Sequence, residues 1–294
     1  MTQTALILGG SGKIGHHSAD AFRAAGWQVR LYRRGTDMTT AAMGADVIVN
    51  GLNPPNYHNW AKTIPAITRD VVAAAKASGA TVILPGNIYT YGSVTGRIDE
   101  TTPQRATTRK GRVRIEMEAA YRASGVRTIV LRAGNFIDPL GNGDLMSFMV
   151  KGLAKGKVMS FGRPEARNAY AYVPDWARAA VMLAERRESL PVFADIPFPG
   201  HAFSGNDLRD HLSARLGRPL RLTRFPWWAM TVTAPVWELA REMTEMRYLY
   251  DMDHWIGAER LAAVLPDFVP TPRDVVMSAG LSGAAAPAAA PATA

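Results

Sequence analysis

The chain has 294 residues, of which 47% are hydrophobic and 20% are charged, a balance typical of a globular protein with a buried core. It contains no cysteine, which excludes disulfides, thiolate catalysis and cysteine-bound metals. Its net charge of +9 favours anionic partners such as nucleotides, phosphorylated metabolites, nucleic acids or acidic membranes. No apolar run is long enough to span a membrane, and the start MTQTALILGG lacks signal-peptide features, so we expect a soluble, cytoplasmic protein.

The first half of the chain alternates short apolar runs with helical patterns. In chain order these are a strand at 4–8, a helix at 14–25, strands at 28–32 and 46–50, a helix at 60–78, a strand at 81–84, a helix at 109–124 and a strand at 127–132. This alternation is typical of a doubly wound parallel sheet. We therefore predict an α/β protein with a Rossmann-type core.

Beyond residue 140 the alternation becomes less regular. Helices at 144–155 and 175–187 and a strand at 158–161 indicate a smaller lobe on the C-terminal edge of the sheet. We divide the chain into a Rossmann core at 1–140, a substrate lobe at 141–280 with some segments returning to the core, and a tail at 281–294. The tail is rich in Ala and Pro and is expected to be disordered.

A glycine-rich turn joins the first predicted strand to the first predicted helix. Gly9 permits the tight turn, Gly12 lets the backbone approach a pyrophosphate, and Gly15 allows close packing of the helix on the sheet. The helix N-terminus offers N–H groups and partial positive charge to phosphates. The sequence therefore predicts a dinucleotide site rather than a turn without a ligand, and its further contact residues are Ser11, Lys13 and Ile14.

The end of the second predicted strand bears on the choice of cofactor. An NAD site usually has Asp or Glu there, about 20 residues past the glycines, to bond the ribose 2′-hydroxyl. This chain has Arg33 and Arg34 instead, and guanidinium groups can bond a 2′-phosphate that a carboxylate would repel. We predict NADP(H) in preference to NAD(H); the alternative is that both arginines merely decorate a loop of a basic protein.

Five further motifs follow the glycine turn: DVIVNGLN at 46–53, LPGNIYTYG at 84–92, IDETTP at 98–103, LRAGNFIDP at 131–139 and YVPDWARA at 172–179. In this order they resemble the extended short-chain dehydrogenase/reductase family, specifically its NAD-dependent epimerase/dehydratase group. The resemblance runs from residue 4 to about residue 275. It implies a small-molecule substrate and further cofactor contacts from Asn50, Gly51, Leu52, Pro85, Gly134 and Asn135.

The sequence departs from this family in two places. Too few residues separate Arg34 from Val47 for the family's third strand and helix, so we expect a truncated sheet edge. The family's catalytic Tyr-x-x-x-Lys is also missing: its tyrosine position falls on Lys110 and its lysine position on Arg114. The family's serine position falls on Asn87, so all three catalytic positions are changed.

The replacements still permit chemistry. Asn87 can donate a hydrogen bond to a carbonyl, and Arg114 can hold a ribose or stabilise an oxyanion. Lys110 could donate a proton if burial or neighbouring arginines favour its neutral amine. Tyr89 and Tyr91 are the other candidate acids. The alternative is that the helix at 109–124 is a solvated basic helix with no catalytic residue.

Two functions remain open. The first is an NADP(H)-dependent oxidoreductase or epimerase of atypical type, acting on a carbonyl or hydroxyl substrate that the basic charge suggests is anionic; the second is a non-catalytic NAD(P)-binding sensor. No metal, nucleic-acid or membrane partner is predicted, and a homodimer is left open.

The segment at 225–255 is rich in Trp, Met and Tyr and is interpreted as core, with a substrate lid or a partner surface as alternatives. Glu238, Arg241 and Glu242 mix positive and negative charge along this segment, which opposes a membrane role.

Overall fold

The computed structural model of the protein describes residues 2–54, 58–141 and 143–284. Its strands are β1 Thr4–Leu8, β2 Gln28–Leu31, β3 Val47–Asn50, β4 Thr81–Asn87, β5 Gly96–Ile98, β6 Thr128–Ala133, β7 Asn135–Ile137, β8 Lys157–Ser160, β9 Asn168–Tyr172, β10 Phe193–Pro197, β11 His201–Phe203, β12 Arg221–Arg224 and β13 His254–Ile256. Its α-helices are α1 Lys13–Ala24, α2 Met38–Ala42, α3 Trp60–Ser78, α4 Arg109–Ser124, α5 Leu145–Val150, α6 Val173–Glu185, α7 Gly205–Leu216, α8 Trp227–Thr233, α9 Glu238–Glu245, α10 Tyr248–Asp251, α11 Glu259–Val264 and α12 Arg273–Ala284.

Six strands form one parallel sheet in the order β10-β6-β4-β3-β1-β2. Alternate residues of β1 face opposite sides of it: Ala5 and Ile7 pack in the cluster that contains α1 and α6, whereas Leu6 and Leu8 pack in the cluster that contains α3 and α4. Helices therefore cover both faces, which is why the inner strands are apolar almost throughout. The predicted doubly wound, Rossmann-type α/β fold is confirmed.

The edge of this sheet next to β2 is truncated, as predicted. Among the described residues, a single short helix, α2, stands between β2 and β3. Asp37 caps α2 by accepting a hydrogen bond of 2.6 Å from the backbone N–H of Thr40. The chain then enters β3 at Val47, too soon to have formed another strand at the edge.

The second half of the chain builds a smaller lobe and also completes the core. In the lobe, β9 lies between β7 and β11, and β8 pairs with β12. Its apolar centre includes Met146, Phe161, Tyr170, Phe203 and Trp227. In contrast, α6 and β10 return to the core, where β10 forms the sheet edge next to β6.

Two boundaries differ from the sequence-based expectation. The helix expected at 144–155 ends at Val150, because Gly152 allows the chain to pass close to Lys157 and turn back into β8. The last helix continues to Ala284, so the first residues of the expected tail are helical. The remainder of the tail lies outside the described residues. None of the helices in the described ranges has the length and apolarity required to cross a membrane.

A buried histidine on β13 fastens that strand to β9. His254 is fully buried; its Nδ1 lies 2.9 Å from the carbonyl oxygen of Met252, and its Nε2 accepts from the N–H of Ala169 at 3.4 Å. A carbonyl oxygen can only accept, so Nδ1 carries the proton and the ring is neutral. Burial lowers the pKa of His254 below its ordinary value of 6.5, against the opposing bond to Met252.

We expect this histidine to make stability depend on pH. Because the folded-state pKa is lowered, the unfolded chain binds the proton more readily, so stability is present above pH 6.5 and is lost as the pH falls below it. Thermal unfolding between pH 7.5 and pH 5 should show this loss, reduced in His254→Asn. His16→Asn, which changes an exposed histidine, should keep the wild-type slope; an equal slope in all three proteins would contradict the assignment.

Candidate functional site

The carboxyl ends of the parallel strands bring most of the predicted site residues to one edge of the sheet. The glycine turn follows β1, the two arginines follow β2, Asn50 and Gly51 end β3, Asn87 ends β4, and Gly134 follows β6. In open α/β sheets, ligands bind outside this edge. The fold therefore assembles residues from five strands that are far apart in the sequence.

The glycine turn is held by contacts within the protein. Gly9 has φ of +75°, a conformation that favours glycine, and its oxygen accepts from the N–H of Gly12 at 2.9 Å. A Cβ on Gly15 would lie 2.2 Å from the oxygen of Gly9. Gly15 is therefore required for α1 to approach the turn, as the sequence predicted. Ile14 belongs to the buried core, whereas Ser11 is exposed and Lys13 is half-buried.

Gly12 differs from these glycines because no contact with the described residues requires a glycine there. Its φ of −85° and ψ of 162° are accessible to any residue. A Cβ there would meet only the oxygen of Gly9, at an ordinary 3.4 Å. The exposed Gly12 is also the N-cap of α1, which has no side-chain cap and no acidic residue in its first turn. A bare, positively polarised helix end suits the pyrophosphate of a dinucleotide.

Arg33 and Arg34 are both exposed just past β2. The carbonyl oxygen of Arg33 accepts hydrogen bonds from the backbone and hydroxyl of Thr36, which fixes the turn between them. Within the described part of the chain, neither guanidinium forms an ion pair with a carboxylate. Their charge is thus presented at the end of the second strand.

The end of β3 is shaped around the glycine turn. Asn50 donates to the hydroxyl of Tyr121 at 3.2 Å and accepts from the N–H of Leu52 at 3.2 Å, so its buried side chain fixes the loop. A Cβ on Gly51 would lie 2.9 Å from the oxygen of Leu8. Asn50 and Gly51 thus bring the end of β3 against the end of β1, while Leu52 is half-buried beside them.

Gly134 and Asn135 link the sheet to the lobe. A Cβ on Gly134 would lie 2.2 Å from the oxygen of Ala169, so packing against β9 by itself requires this glycine. Asn135 begins β7 and is paired with Tyr170 of β9. Pro85, the remaining cofactor residue predicted from the resemblance, is half-buried in β4 two residues before Asn87.

Asn87 is positioned through both its backbone and its side chain. Its carbonyl oxygen accepts from Arg132 at 2.8 Å, and its Oδ1 accepts from the N–H of Tyr89 at 3.1 Å, capping the 3₁₀ turn at Ile88–Tyr91. This orientation leaves the Nδ2 group as a donor, and it has no acceptor among the residues that the structure describes. Asn87 is half-buried, so this donor can reach a ligand oxygen.

Arg132, which the sequence analysis did not assign to the site, holds this edge together. Its fully buried guanidinium donates to both oxygens of Glu118, at 3.0 and 2.8 Å, and to both oxygens of Asp195, at 3.1 and 2.6 Å. Burial alone would lower the pKa of Arg132, but the two carboxylates raise it instead. A charged residue inside the apolar strand TIVLRA was the available signal, because a buried charge needs partners.

The two tyrosines after Asn87 lie in different environments. Tyr91 is buried, its hydroxyl lies 3.4 Å from the carbonyl oxygen of Asp99, and burial raises the pKa of its phenol. Tyr91 therefore packs as a core residue in its cluster. Tyr89 is half-buried and lies at the margin between two apolar clusters. Of the two phenols, that of Tyr89 is the more accessible.

Lys110, at the family's tyrosine position, is locked into an ion-pair cluster. Its buried ammonium lies 2.5 Å from Glu242 and 2.8 Å from Glu245, both on α9, and Arg109 also bonds Glu242. Burial opposes ionisation of Glu242, but the bonds to Lys110 and Arg109 prevail and lower the pKa of its carboxyl. These bonds direct the ammonium of Lys110 toward α9.

Arg114, at the family's lysine position, lies against the start of α3. Its guanidinium carbon is 4.7 Å from the ring centre of Trp60, and its Nη2 donates to Asn53 at 3.3 Å. The interpretation of α4 as a solvated basic helix does not describe its structure, because Lys110, Val113 and Met117 are buried along one side. Lys110 can be buried on that side because its charge is paired with two glutamates of α9. No local pattern in the sequence shows these ion pairs.

A second recess lies in the lobe, at the ends of β8 and β12. It has a volume of about 290 Å³ and combines aromatic side chains with three arginines, Arg163, Arg224 and Arg247. One carboxylate, Asp251, also lines it and accepts from the backbone N–H of Arg163 at 3.0 Å. Positive charge around an aromatic floor suits a ligand that is anionic and partly apolar.

The parallel sheet and the glycine turn together define a Rossmann-type protein. Residues 60–195 match the model of the NAD dependent epimerase/dehydratase family, which confirms the resemblance predicted from the motifs. The family description supports a nicotinamide dinucleotide as the cofactor. A search of curated proteins gave no match.

Solved structures share this fold over nearly the whole chain. UDP-glucuronic acid 4-epimerase from Bacillus cereus, in complex with UDP-glucuronic acid and NAD, superposes with a TM-score of 0.76 at 14% identity, covering 96% of this chain and 99% of that chain. UDP-glucose 4-epimerase from Bifidobacterium longum, in complex with NAD+ and UDP, gives 0.72 at 16%, covering 96% and 98%. MoeE5 in complex with UDP-glucose and NAD gives 0.74 at 15%, covering 95% and 98%. At these identities the likeness establishes the fold.

The two glycines of the turn provide a matched test of ligand binding against folding. Gly12→Val should leave the melting temperature nearly unchanged and should weaken dinucleotide binding by roughly a hundredfold, since the side chain would occupy the space for the pyrophosphate. Gly15→Ala should destabilise the protein by about 1–3 kcal/mol through overpacking. Calorimetry and fluorescence titration would measure both. Equal loss of stability in the two variants would show that Gly12 is a scaffold residue.

The Lys110 cluster should contribute mainly to stability. Lys110→Met removes the buried cation from Glu242, leaves it only arginines at the surface, and should cost up to about 3–5 kcal/mol, measured by urea unfolding. Lys110→Met combined with Glu242→Met should recover much of that loss, because the pair is removed together. If Lys110→Met is as stable as the wild type, the ion pair is not what holds α9 to α4.

Proposed function

We propose that the protein is an oxidoreductase or epimerase that uses a nicotinamide dinucleotide, with NADP(H) preferred. The observation that carries the proposal is Gly12: the protein does not need a glycine there, whereas a pyrophosphate against the end of α1 does. Gly9, Gly12 and Gly15 would surround the pyrophosphate, with the N–H groups of Lys13 and Ile14 as donors. The family match over residues 60–195 supports the same class of cofactor.

The preference for NADP(H) is supported by the arginines after β2. Arg33 and Arg34 are exposed at the position that an acidic residue takes in an NAD site. Because neither pairs with a carboxylate in the described ranges, both charges are available to a 2′-phosphate. The structures of similar fold contain NAD, so the proposed preference is argued from Arg33 and Arg34 of this chain alone.

The reacting oxygen of the substrate is assigned to Asn87. A bound nicotinamide supplies hydride transfer; the protein must hold the substrate oxygen and move its proton. Asn87 offers the Nδ2 donor, and Arg132 fixes its backbone. Tyr89, half-buried and two residues further on, is the proposed proton donor, because Lys110 is engaged by two glutamates and Tyr91 is buried.

The proposed substrate is a small anionic molecule. Its charge is inferred from the net charge of +9 that the chain carries. Proteins of the same fold are complexed with UDP-sugars, and a nucleoside diphosphate carries negative charge of this kind. We therefore extend the proposal to a substrate that carries a phosphate or diphosphate group.

A second candidate function is a regulator that binds the cofactor without turnover. The specific observation that favours it is Lys110, because the residue at the family's proton-donor position is used to hold α9. In such a protein the dinucleotide would still bind the glycine turn. The two functions therefore share the cofactor and differ in whether substrate is converted.

The cofactor preference can be tested by titrating the purified protein with NADPH and with NADH, following nicotinamide fluorescence. NADPH should bind more tightly, and Arg33→Asp should weaken NADPH binding by roughly tenfold to a hundredfold while sparing NADH. Arg215→Asp, another exposed arginine, serves as the control with unchanged affinities. An unchanged preference in Arg33→Asp would remove the basis for NADP(H), and no binding of either nucleotide would overturn the whole proposal.

Once a cofactor binds, the same preparation separates the enzyme from the regulator. Carbonyl and sugar-nucleotide substrates are screened for a change in nicotinamide absorbance or for epimerised product. Conversion that is lost in Asn87→Ala, with cofactor affinity retained, would establish the enzyme. Tight cofactor binding with no conversion of any phosphorylated substrate would favour the regulator.

A further inference from the structure

The helix α8 and the turn after it expose an unusual amount of apolar surface. Trp228, Val232, Val236 and Trp237 are exposed by 74%, 72%, 90% and 46%; together they form what we call the Trp–Val ridge. From residue 226 to residue 237 the chain carries no charge. The first three side chains recur at intervals of four residues, which places Trp228 and Val232 on one side of α8.

The opposite side of α8 is anchored in the lobe. Trp227 is buried, donates its indole N–H to the carbonyl oxygen of Phe161 at 2.5 Å, and packs among aromatic residues that include Phe225 and Tyr250. Met230 packs against the same cluster. These contacts fix the inner side of α8 in the lobe. The outer side of the helix is exposed although its inner side is already packed. Large exposed apolar patches of this kind mark interaction sites.

Some charged residues that follow the ridge in the sequence are not exposed in the structure. Glu242, whose sign argued against a membrane role, is 1% exposed and paired with Lys110 and Arg109. Glu245 is turned toward the same cluster and is 21% exposed. Two of the three carboxylates on α9, Glu242 and Glu245, are thus largely removed from the surface, whereas Glu238 stays exposed.

Arginines remain exposed around the Trp–Val ridge. Arg163, Arg224 and Arg247 line one recess together with Trp228, and Arg241 follows Trp237 by one helical turn; these four are the arginine collar. Three carboxylates share this surface, each beside one arginine of the collar: Glu165 lies 3.9 Å from Arg163, Glu238 lies 3.8 Å from Arg241, and Asp251 lies 3.8 Å from Arg247. Four guanidinium groups against three carboxylates leave the rim of the ridge with a small net positive charge.

From this arrangement we propose that the Trp–Val ridge docks the protein on the surface of an anionic lipid bilayer. Tryptophan is favoured at the interface between lipid headgroups and acyl chains, and arginine is attracted to anionic headgroups. The ridge would insert to the depth of the headgroups while the arginine collar contacts lipid phosphates. Such binding is peripheral and requires no spanning helix.

A second copy of the chain fits the ridge less well. The four side chains expose roughly 500 Å², below the roughly 800 Å² per partner that a stable protein interface buries. Two collars of arginine would also face each other, and each chain carries a net charge of +9. A bilayer needs less area, because the positive charge of the collar adds to the apolar contact rather than opposing it.

Co-sedimentation with vesicles tests the proposal on the full chain. Binding should occur with vesicles of phosphatidylcholine and phosphatidylglycerol, should be weak with phosphatidylcholine alone, and should fall as salt is raised. Val232→Asp with Val236→Asp should reduce binding to the anionic vesicles by roughly tenfold or more, as charge is placed in the ridge. These positions are exposed, and neither contributes to the proposed cofactor site.

The matched control is Val269→Asp with Val275→Asp, at residues exposed by 73% and 48% elsewhere on the protein. This variant should bind vesicles like the wild type, and both variants should keep the wild-type melting temperature. Absence of binding to anionic vesicles, or equal loss in both variants, would overturn the proposal. So would a dimer in solution, measured by light scattering, that the Val232/Val236 variant alone disrupts.

Discussion

The buried guanidinium of Arg132 connects α4 and β10 to the end of β4, where Asn87 lies. It bonds Glu118 of α4, Asp195 of β10 and the carbonyl oxygen of Asn87 at the end of β4. A buried cation is tolerated only when it is paired and hydrogen-bonded, so these elements cannot separate without leaving a charge unpaired. The network thereby fixes the position of the 3₁₀ turn at Ile88–Tyr91 relative to the sheet. Asn87, whose amide faces the site, takes its position from it.

The cluster around Lys110 shows how a position can keep its place in the fold and change its chemistry. α4 starts at the same sheet edge that the family resemblance indicates, yet the ammonium of Lys110 is directed to Glu242 and Glu245 of α9. At the position where the family has a tyrosine, the ammonium of Lys110 instead binds the neighbouring helix α9. The same pairs withdraw Glu242 and Glu245 of α9 from the surface, and this leaves arginines in slight excess around the exposed side of α8. The chemistry of α4 and the surface of the lobe are thus coupled through one set of ion pairs.

Residues with a local role in the backbone were predictable, and residues with a long-range role were not. Gly9 and Gly15 were assigned from the strand–turn–helix context, since a tight turn and a close helix approach each restrict one position to glycine. Asn50 and Gly134 were assigned to the cofactor from the resemblance; in the structure, contacts with Tyr121 and Ala169 account for both of them. Such contacts join residues tens of positions apart, which no spacing within the sequence reveals.

The sequence by itself determined the doubly wound core, its truncated edge and the dinucleotide turn, because the periodicity of apolar residues and the placement of glycine act over a few residues at a time. Tertiary structure alone decided what the charges do. Lys110 and Glu242 lie 132 positions apart, and from the sequence each would be expected to be exposed to solvent. In the folded chain both are buried together. Pairing of charges depends on distance and burial, and both are properties of the folded chain. For that reason the surface at α8 became positive and apolar only in the structure.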